Sequence, residues 1–214
     1  MIIAVDGPAA SGKGTLARKL ASHYDLAYLD TGSLYRSVAW ALLQSHTDPA
    51  DVEAAVAAAK SLDLNHTDQT AIRQPEVDVA SSIVAALEPV RSAIRDTQRR
   101  FAQHPPGGKK GAVLDGRDIG TVICPDADVK LYVDASAEVR AKRRFLERDD
   151  NARSGQSRKS EGQILEGLLE RDRRDASRES SPLQKAENAY LLDTSNLSIE
   201  AAFEAACKII DGDK

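Results

Sequence analysis

The chain has 214 residues, of which 42% are hydrophobic and 29% charged, and its 29 basic and 33 acidic residues give a formal net charge of −4 at pH 7. Since no apolar stretch approaches the roughly 20 residues of a membrane helix and the N-terminus lacks the pattern of a secretory signal, we expect a single soluble domain in the cytoplasm, without a membrane partner. The slight acidic excess argues against binding to long nucleic acid, which depends on basic surface, and we expect a monomer whose partners are small molecules.

Short apolar runs alternate with helical segments along the whole chain. In the helical segments, apolar residues recur every three or four positions, as in residues 16–20 and 52–56. This order predicts an α/β fold, a five-stranded parallel sheet with helices on both faces. The predicted strands are residues 2–5, 27–29, 112–114, 129–133 and 190–192.

Three helices are marked by residues that favour a helix start. Pro49 is predicted to open an alanine-rich helix that ends at Ala59, and Pro89 a helix that ends at Arg100. Ser198 is predicted to cap the last helix, residues 199–210, because its hydroxyl can accept a hydrogen bond from the first turn.

Residues 60–90 and the polar stretch 150–160 do not fit this simple alternation. Both are candidate moving parts, although an ordinary solvated loop is the alternative for residues 150–160. We therefore divide the single domain into a core, an insert and a lid. The core comprises residues 1–60, 92–148 and 180–214, the insert residues 61–91 and the lid residues 149–179.

A glycine-rich loop directly follows the first predicted strand. Backbone N–H groups of a G-x-x-x-x-G-K loop converge on phosphate oxygens, and the following helix adds its positive dipole end. The loop therefore predicts an ATP site in which Lys13 meets the β- and γ-phosphates and the Thr15 hydroxyl lies beside Mg²⁺. A glycine-rich turn that binds nothing is the alternative. The loop residues are Gly7, Pro8, Ala9, Ala10, Ser11, Gly12, Lys13, Gly14 and Thr15.

Polar residues also follow the second and third predicted strands, in residues 30–36 and 115–118. Because ligands bind beyond the carboxyl ends of parallel strands, Arg36 and Arg117 are predicted to point into the same crevice as Lys13. Three fixed positive charges suit two phosphorylated substrates, since guanidinium groups pair with phosphate oxygens. For either arginine taken alone, a surface salt bridge is the alternative.

A dense cluster of charges, residues 170–178, follows the candidate lid. Arg171, Asp175 and Arg178 are spaced at i, i+4 and i+7, which predicts that they share one helical face. By itself this pattern is typical of a solvated helix with internal ion pairs. Next to a lid, arginines such as Arg171 and Arg174 would close over the phosphates, neutralise developing charge and exclude water.

Together these motifs resemble the nucleoside monophosphate kinases, and more closely the bacterial cytidylate kinases. The resemblance covers nearly the whole chain and is carried by residues 6–15, 30–36, 115–122 and 171–178. Of these, residues 115–122 are the most discriminating, since a glycine loop alone fits many families. The resemblance implies phosphorylation of CMP and dCMP by Mg²⁺-ATP, with UMP a poor substrate. The residue that supports the metal, Asp30, Asp115 or Asp118, stays open.

The resemblance also implies roles for the substrate residues. The acceptor phosphate would be held by Arg36 and Arg117, near Thr31, and the sugar hydroxyls by Arg171 and Asp175. Phosphoryl transfer would depend on Lys13, Arg117, Arg171 and Arg174. The cytosine edge would be recognised by Ser82, Arg91, Asp118 and Arg178.

The assignment of the base site makes chemical sense. Cytosine offers an amine donor beside the N3 and O2 acceptors, so a carboxylate and a hydroxyl can face the amine while arginine faces the acceptors. Ser82 has an alternative interpretation, because residues 80–84 would also suit a plain helix surface.

The chain departs from the family in the insert. Family members usually carry a small three-stranded insert, and residues 62–70 are too short to build all of it, so we expect the insert to be trimmed. Two other functions stay open. A kinase of another small acceptor would share the glycine loop but would not need both Arg36 and Arg117 together with Ser82 and Arg91. A non-enzymatic regulator would bind ATP without a second phosphate site.

Overall fold

In the computed structural model, which describes residues 1–63, 68–150 and 160–212, the chain forms a five-stranded parallel sheet in the order β2-β3-β1-β4-β5. The first strand is therefore central, between β3 and β4, and all neighbouring strands are parallel. This architecture confirms the predicted α/β class. The strands are β1 Ile2–Asp6, β2 Ala27–Asp30, β3 Ala112–Gly116, β4 Val129–Asp134 and β5 Tyr190–Asp193.

Helices cover both faces of the sheet. A 3₁₀ turn, Ala71–Arg73, and a π-helical turn, Ile119–Ile123, complete the regular structure of the described residues. None of the helices in the described ranges has both the length and the apolar character needed to cross a membrane. The helices are α1 Lys13–His23, α2 Thr31–Gln44, α3 Val52–Lys60, α4 Pro75–Val84, α5 Glu88–Gln103, α6 Ala137–Asp150, α7 Glu161–Ala176 and α8 Ile199–Asp211.

Each predicted strand is present, and each extends one or two residues further than its apolar run. The extensions carry acidic residues, which end the hydrophobic pattern but continue the backbone ladder: Asp6 pairs with Gly116, and Asp30 with Asp115. Two of the polar residues expected directly after the strands, Asp30 and Asp115, thus lie within the strands. The backbone pairing of the sheet therefore fixes the positions of these acidic residues.

The predicted start of the alanine-rich helix was wrong. Helix α3 begins at Val52, and Pro49 lies in the turn before it. The Asp51 side chain accepts a hydrogen bond from the N–H of Ala54 at 3.0 Å, which satisfies a donor of the first turn in the way that proline cannot.

Other helix ends lie close to their predicted positions. Helix α5 begins at Glu88, with Pro89 in its first turn, one residue earlier than predicted, and it continues to Gln103. Ser198 caps α8 as predicted, because its hydroxyl accepts from the N–H of Ala201 at 3.1 Å.

Two apolar clusters position the site. One lies between β1 and the helices α1 and α8, and includes Ile3, Val5 and Leu20. The other joins α2, α3, α4 and α5 through residues such as Val38 and Val77. The second cluster means that α4, in the predicted insert, shares a core with the helices around it.

The predicted insert and lid are described only in part. Residues 61–63 and 68–91 form helices and turns without a strand, while residues 64–67 lie outside the described residues. Most of the polar stretch predicted as a lid, residues 151–159, also lies outside them. On either side of that stretch, α6 and α7 pack together through Ala141, Ile164 and Leu168. The division into core, insert and lid stays a prediction.

Gly7 is required where the loop leaves β1 beside β4. Its φ is +151°, and a Cβ atom there would lie 2.0 Å from the carbonyl oxygen of Val133. We predict that Gly7→Ala lowers the free energy of unfolding by roughly 2–4 kcal/mol, through overpacking and backbone strain, as measured by urea denaturation followed by circular dichroism.

Gly167→Ala is the matched control for that substitution. Gly167 lies inside α7 with nothing within 4 Å of a built Cβ, so alanine there is expected to stabilise the protein by about 0.5–1 kcal/mol. Similar unfolding midpoints for the two variants would contradict the steric role of Gly7.

Candidate active site

A cavity of about 450 Å³ opens at the carboxyl ends of β1, β2 and β3. The glycine loop, α2, α4 and α7 contribute to its walls. All residues predicted to bind the acceptor or act in transfer line this one cavity, although nothing in the fold by itself assigns their roles. They are Lys13, Thr31, Arg36, Ser82, Arg91, Arg117, Asp118, Arg171, Arg174, Asp175 and Arg178.

The glycine loop passes from β1 into the first turn of α1. Ala10 and Gly12 have positive φ angles of 61° and 90°, which fold the loop back over the helix start. Gly12 is the N-cap and provides no side-chain cap, so the N-terminal amides of α1 remain for an anion. Six loop residues line the cavity: Ala9, Ala10, Gly12, Lys13, Gly14 and Thr15. The other three loop residues, Gly7, Pro8 and Ser11, do not line the cavity.

Lys13 is half-buried, and its Nζ donates to the carbonyl oxygen of Pro8 at 3.4 Å, across the loop. Burial, together with the nearby Arg117, lowers the pKa of Lys13 to about 8. Both effects arise because a positive charge is held away from water beside another positive charge. A phosphate bound in the loop would relieve both.

The Asp115 carboxylate lies close to the first turn of α1. A Cβ atom on Gly14 would lie 3.1 Å from Asp115 Oδ2, so glycine at the position after Lys13, an unusual choice in such loops, leaves room for this side chain. Tyr28 donates to the same oxygen at 2.7 Å. Burial raises the pKa of Asp115, against the opposing effect of Lys13.

The other two candidate carboxylates also have structural partners. Asp30 caps α2 by accepting from the N–H of Ser33 at 3.2 Å, and Asp118 pairs with Arg91. Thr15, Asp30, Asp115 and Asp118 all line the cavity, and their oxygen atoms are of the hard type that Mg²⁺ prefers.

Helix α6 holds the glycine loop from outside, which sequence analysis missed. Arg140 donates to the carbonyl oxygen of Ala9 at 3.2 Å, and Arg143 to that of Ser11 at 3.4 Å. Arg140 also pairs with Asp172 of α7 at 2.7 Å, so it connects the loop to the helix that follows the predicted lid. These partners lie far apart along the chain, and no local spacing signals them.

Asp6, at the end of β1, supports the segment that carries Arg117 and Asp118. Its two carboxylate oxygens accept from the N–H groups of Ile119 and Gly120 at 2.8 and 2.7 Å. Burial raises the pKa of Asp6 to about 7, despite these two hydrogen bonds. The side chain thus ties the start of the glycine loop to the π-helical turn across the sheet.

The arginines predicted to bind phosphate are ion-paired inside the cavity. Arg36 Nη2 lies 2.5 Å from Asp78, and Arg117 Nε 2.9 Å from Asp175. These pairs are mostly buried, so the alternative of surface salt bridges does not describe them. Burial, followed by the charge of Arg117, lowers the pKa of Arg171 to about 10.

The residues predicted to recognise the base form a second buried group. Arg91 and Asp118 pair at 2.6 Å, with 4% and 7% of their side chains exposed. The Arg91 guanidinium also lies 5.7 Å from the ring centroid of Tyr35. Ser82 is 3% exposed and accepts from Arg174 Nη1 at 2.7 Å, so the alternative of a plain helix surface was wrong.

The common helical face predicted for the charge cluster is correct for Arg171 and Asp175 but not for Arg178. Helix α7 ends at Ala176, and Arg178 lies beyond its C-cap. Arg178 still pairs with Asp175, because the chain turns back over the helix end. Asp175 is almost fully buried, so this face is not the solvated helix surface that charge patterning alone suggested.

Comparison with known proteins gives a consistent family. A family model described as "Cytidylate kinase" matches residues 3–212. A curated cytidylate kinase of Methylocella silvestris is 53% identical over 211 residues, covering 99% of this chain and 94% of that protein. One of Bartonella bacilliformis is 52% identical over 210 residues, covering 98% and 94%. A solved shikimate kinase of Bacteroides thetaiotaomicron has a TM-score of 0.50 at 11% identity, covering 99% of this chain and 98% of that chain, and shares the fold.

Asp175 holds together two arginines of the cavity, Arg117 and Arg178. Asp175→Asn would leave both guanidinium groups without their buried partner. We predict that it lowers the free energy of unfolding at pH 7 by roughly 3 kcal/mol, as measured by urea denaturation.

The same substitution has a pH signature. Burial opposes ionisation of Asp175, but Arg117 and Arg178 outweigh it and hold the pKa below its usual range. Its stabilisation is therefore present above the unfolded pKa of about 4 and is lost as the pH falls through the folded pKa. Glu170→Gln is the control, because it alters an ion pair in which 68% of the Glu170 side chain is exposed. It should lower the free energy of unfolding by under about 1 kcal/mol. Two results would contradict this role of Asp175. One is an equal loss of unfolding free energy in both variants, and the other is a loss in Asp175→Asn that persists at acid pH.

Proposed function

The chain belongs to the cytidylate kinase family and is a nucleoside monophosphate kinase, and we propose that it transfers the γ-phosphoryl group of ATP to CMP and dCMP, forming CDP and dCDP. One observation carries the proposal. A single cavity contains a phosphate-binding glycine loop and, separately, the arginines Arg36 and Arg117 beside a buried polar group that suits a pyrimidine base. We further propose that the protein acts in the cytoplasm as a monomer.

The transfer requires no general base. A phosphate monoester has a second pKa of about 6, so the acceptor is mostly dianionic at pH 7 and is already a nucleophile. The task of the protein is to bring two anions together in line. Lys13, Arg36 and Arg117 would offset their repulsion, and Arg171 and Arg174 would neutralise charge on the transferring group.

Thr15 and Asp115 would hold Mg²⁺ with ATP, and the ion would supply charge neutralisation on the donor phosphates. Two features support this choice of residues. Both side chains line the cavity, and Gly14 leaves space for Asp115 beside the first turn of α1. The amides of that turn would bind the donor phosphates directly.

Cytosine would be selected by complementary hydrogen bonding. We assign the Asp118 carboxylate and the Ser82 hydroxyl to the amine, and Arg91 and Arg178 to the ring acceptors. Because Arg91 and Asp118 are already paired and buried, their orientation is set before the substrate arrives. Uracil would leave a buried group unpaired, at a cost of about 1–3 kcal/mol, which favours CMP without excluding UMP. The sugar hydroxyls would contact Arg171 and Asp175, and Thr31 would lie near the acceptor phosphate.

An acceptor panel tests this function directly. In a coupled assay of ADP release with Mg²⁺-ATP, we expect fast turnover with CMP and dCMP, slow turnover with UMP, and none with AMP, GMP, dTMP or shikimate. Turnover with a different acceptor would support a kinase activity but overturn the assignment of the cytosine site. ATP binding without turnover on any acceptor would favour a regulator.

Two substitutions separate transfer from base recognition. We predict that Lys13→Ala abolishes transfer, whereas Arg178→Ala raises the KM for CMP and narrows the preference for CMP over UMP, because Arg178 would contact the base rather than the transferring group. Arg173→Ala is the control, since Arg173 is exposed and bonds only within α7 among the contacts described. Unchanged discrimination in folded Arg178→Ala would remove Arg178 from base recognition.

A further inference from the structure

Asp78 lies at the centre of a group of arginines in the cavity. It belongs to α4 and lines the cavity with 13% of its side chain exposed. Its Oδ1 lies 2.5 Å from Arg36 Nη2, and its Oδ2 accepts from Arg144 Nη2 at 2.5 Å. Arg171 Nη1 lies 4.0 Å from Oδ1. Arginines from α2, α6 and α7 thus surround one carboxylate.

This carboxylate is ionised throughout the physiological range. Burial alone would raise the pKa of Asp78, but Arg144, Arg36 and Arg171 outweigh burial and hold it far below its usual range. A carboxylate and a phosphate offer the same chemistry to guanidinium groups, namely paired anionic oxygens. Asp78 therefore pairs with these arginines in the way that a phosphate oxygen pair would.

Apolar packing also positions α4, in addition to these ion pairs. Val77, Ala80 and Val84 of that helix are buried in the cluster shared with α2, α3 and α5. Breaking a buried pair is costly, but the pair itself adds little to stability once desolvation is counted. A role of Asp78 in the binding site therefore explains its position among the arginines better than a role in stabilising the apolar core does.

We propose that the Asp78 carboxylate is part of the acceptor-phosphate site: it orders Arg36 and Arg144 before phosphate binds and competes with the incoming phosphate for them. The proposal deepens the proposed function and rests on it for the identity of the acceptor. It also adds Arg144 to the phosphate-binding residues. Removing the charge of Asp78 should strengthen the binding of phosphate anions and act mainly on KM rather than on kcat.

The test is Asp78→Asn, which keeps the size of the side chain and removes the charge. With inorganic phosphate as the probe and no nucleotide present, calorimetry should give roughly tenfold tighter binding than in the wild type, the change expected when one like charge near the anion is removed. In the kinase assay, the KM for CMP should fall several-fold, with kcat changed less than KM.

Glu76→Gln is the matched control. Glu76 lies two positions away on the same helix, is exposed and does not line the cavity, so the same change of charge should leave phosphate binding unaltered. Equal or weaker phosphate binding by Asp78→Asn would overturn the proposal. An equal gain in phosphate affinity in Glu76→Gln would also overturn it.

Two further outcomes are decisive. If Asp78→Asn is unfolded in phosphate-free buffer, added phosphate must restore its circular dichroism spectrum, because the anion would replace the missing carboxylate; failure to do so would overturn the proposal. If the wild type does not phosphorylate CMP, the proposed function fails, whereas the phosphate comparison, which uses no nucleotide, still decides the role of Asp78.

Discussion

Repulsion between like charges is the constraint on which the rest of this structure depends. A site for two phosphorylated ligands needs many cations around one small cavity, and here those cations must coexist before any anion arrives. Carboxylates that are buried or only slightly exposed offset this repulsion. Asp118 pairs with Arg91, Asp175 with Arg117 and Arg178, and Asp78 with Arg36 and Arg144. Each carboxylate also fixes the direction of a long side chain, so the charges are oriented as well as balanced.

The parallel sheet brings these charged residues together at one edge, where the carboxyl ends of its strands lie. With β1 in the centre, the glycine loop, the start of α2 and the segment after β3 all leave the sheet at the same edge. Acidic residues at the strand ends then tie the segments together. Asp6 accepts from the amides that follow Asp118, and Asp115 approaches the first turn of α1 beside Gly14. Hydrogen bonds and close packing therefore connect the segments at the edge of the sheet where phosphates would bind.

Much of this was predictable, because strand runs and the glycine loop are encoded locally. Each strand was found, and all predicted substrate residues line one cavity. The errors have local physical causes. The last positions of the strands were missed because acidic residues interrupt the apolar pattern there. Helix α3 starts after its cap Asp51 rather than at Pro49. Helix α7 ends before Arg178. In each case a hydrogen bond of the backbone or of a cap prevailed over the residue pattern.

The sequence by itself determined the alternation of strands and helices, the glycine loop and the types of side chain that follow each strand, since these depend on periodicity and on short-range backbone geometry. Only the tertiary structure decided which charges meet. Arg144 and Asp78 are 66 residues apart, and Arg140 and Arg143 reach loop carbonyls 131 and 132 residues away. Such partners have no signature in local spacing, because their distance depends on how α4, α6 and α7 pack around the sheet.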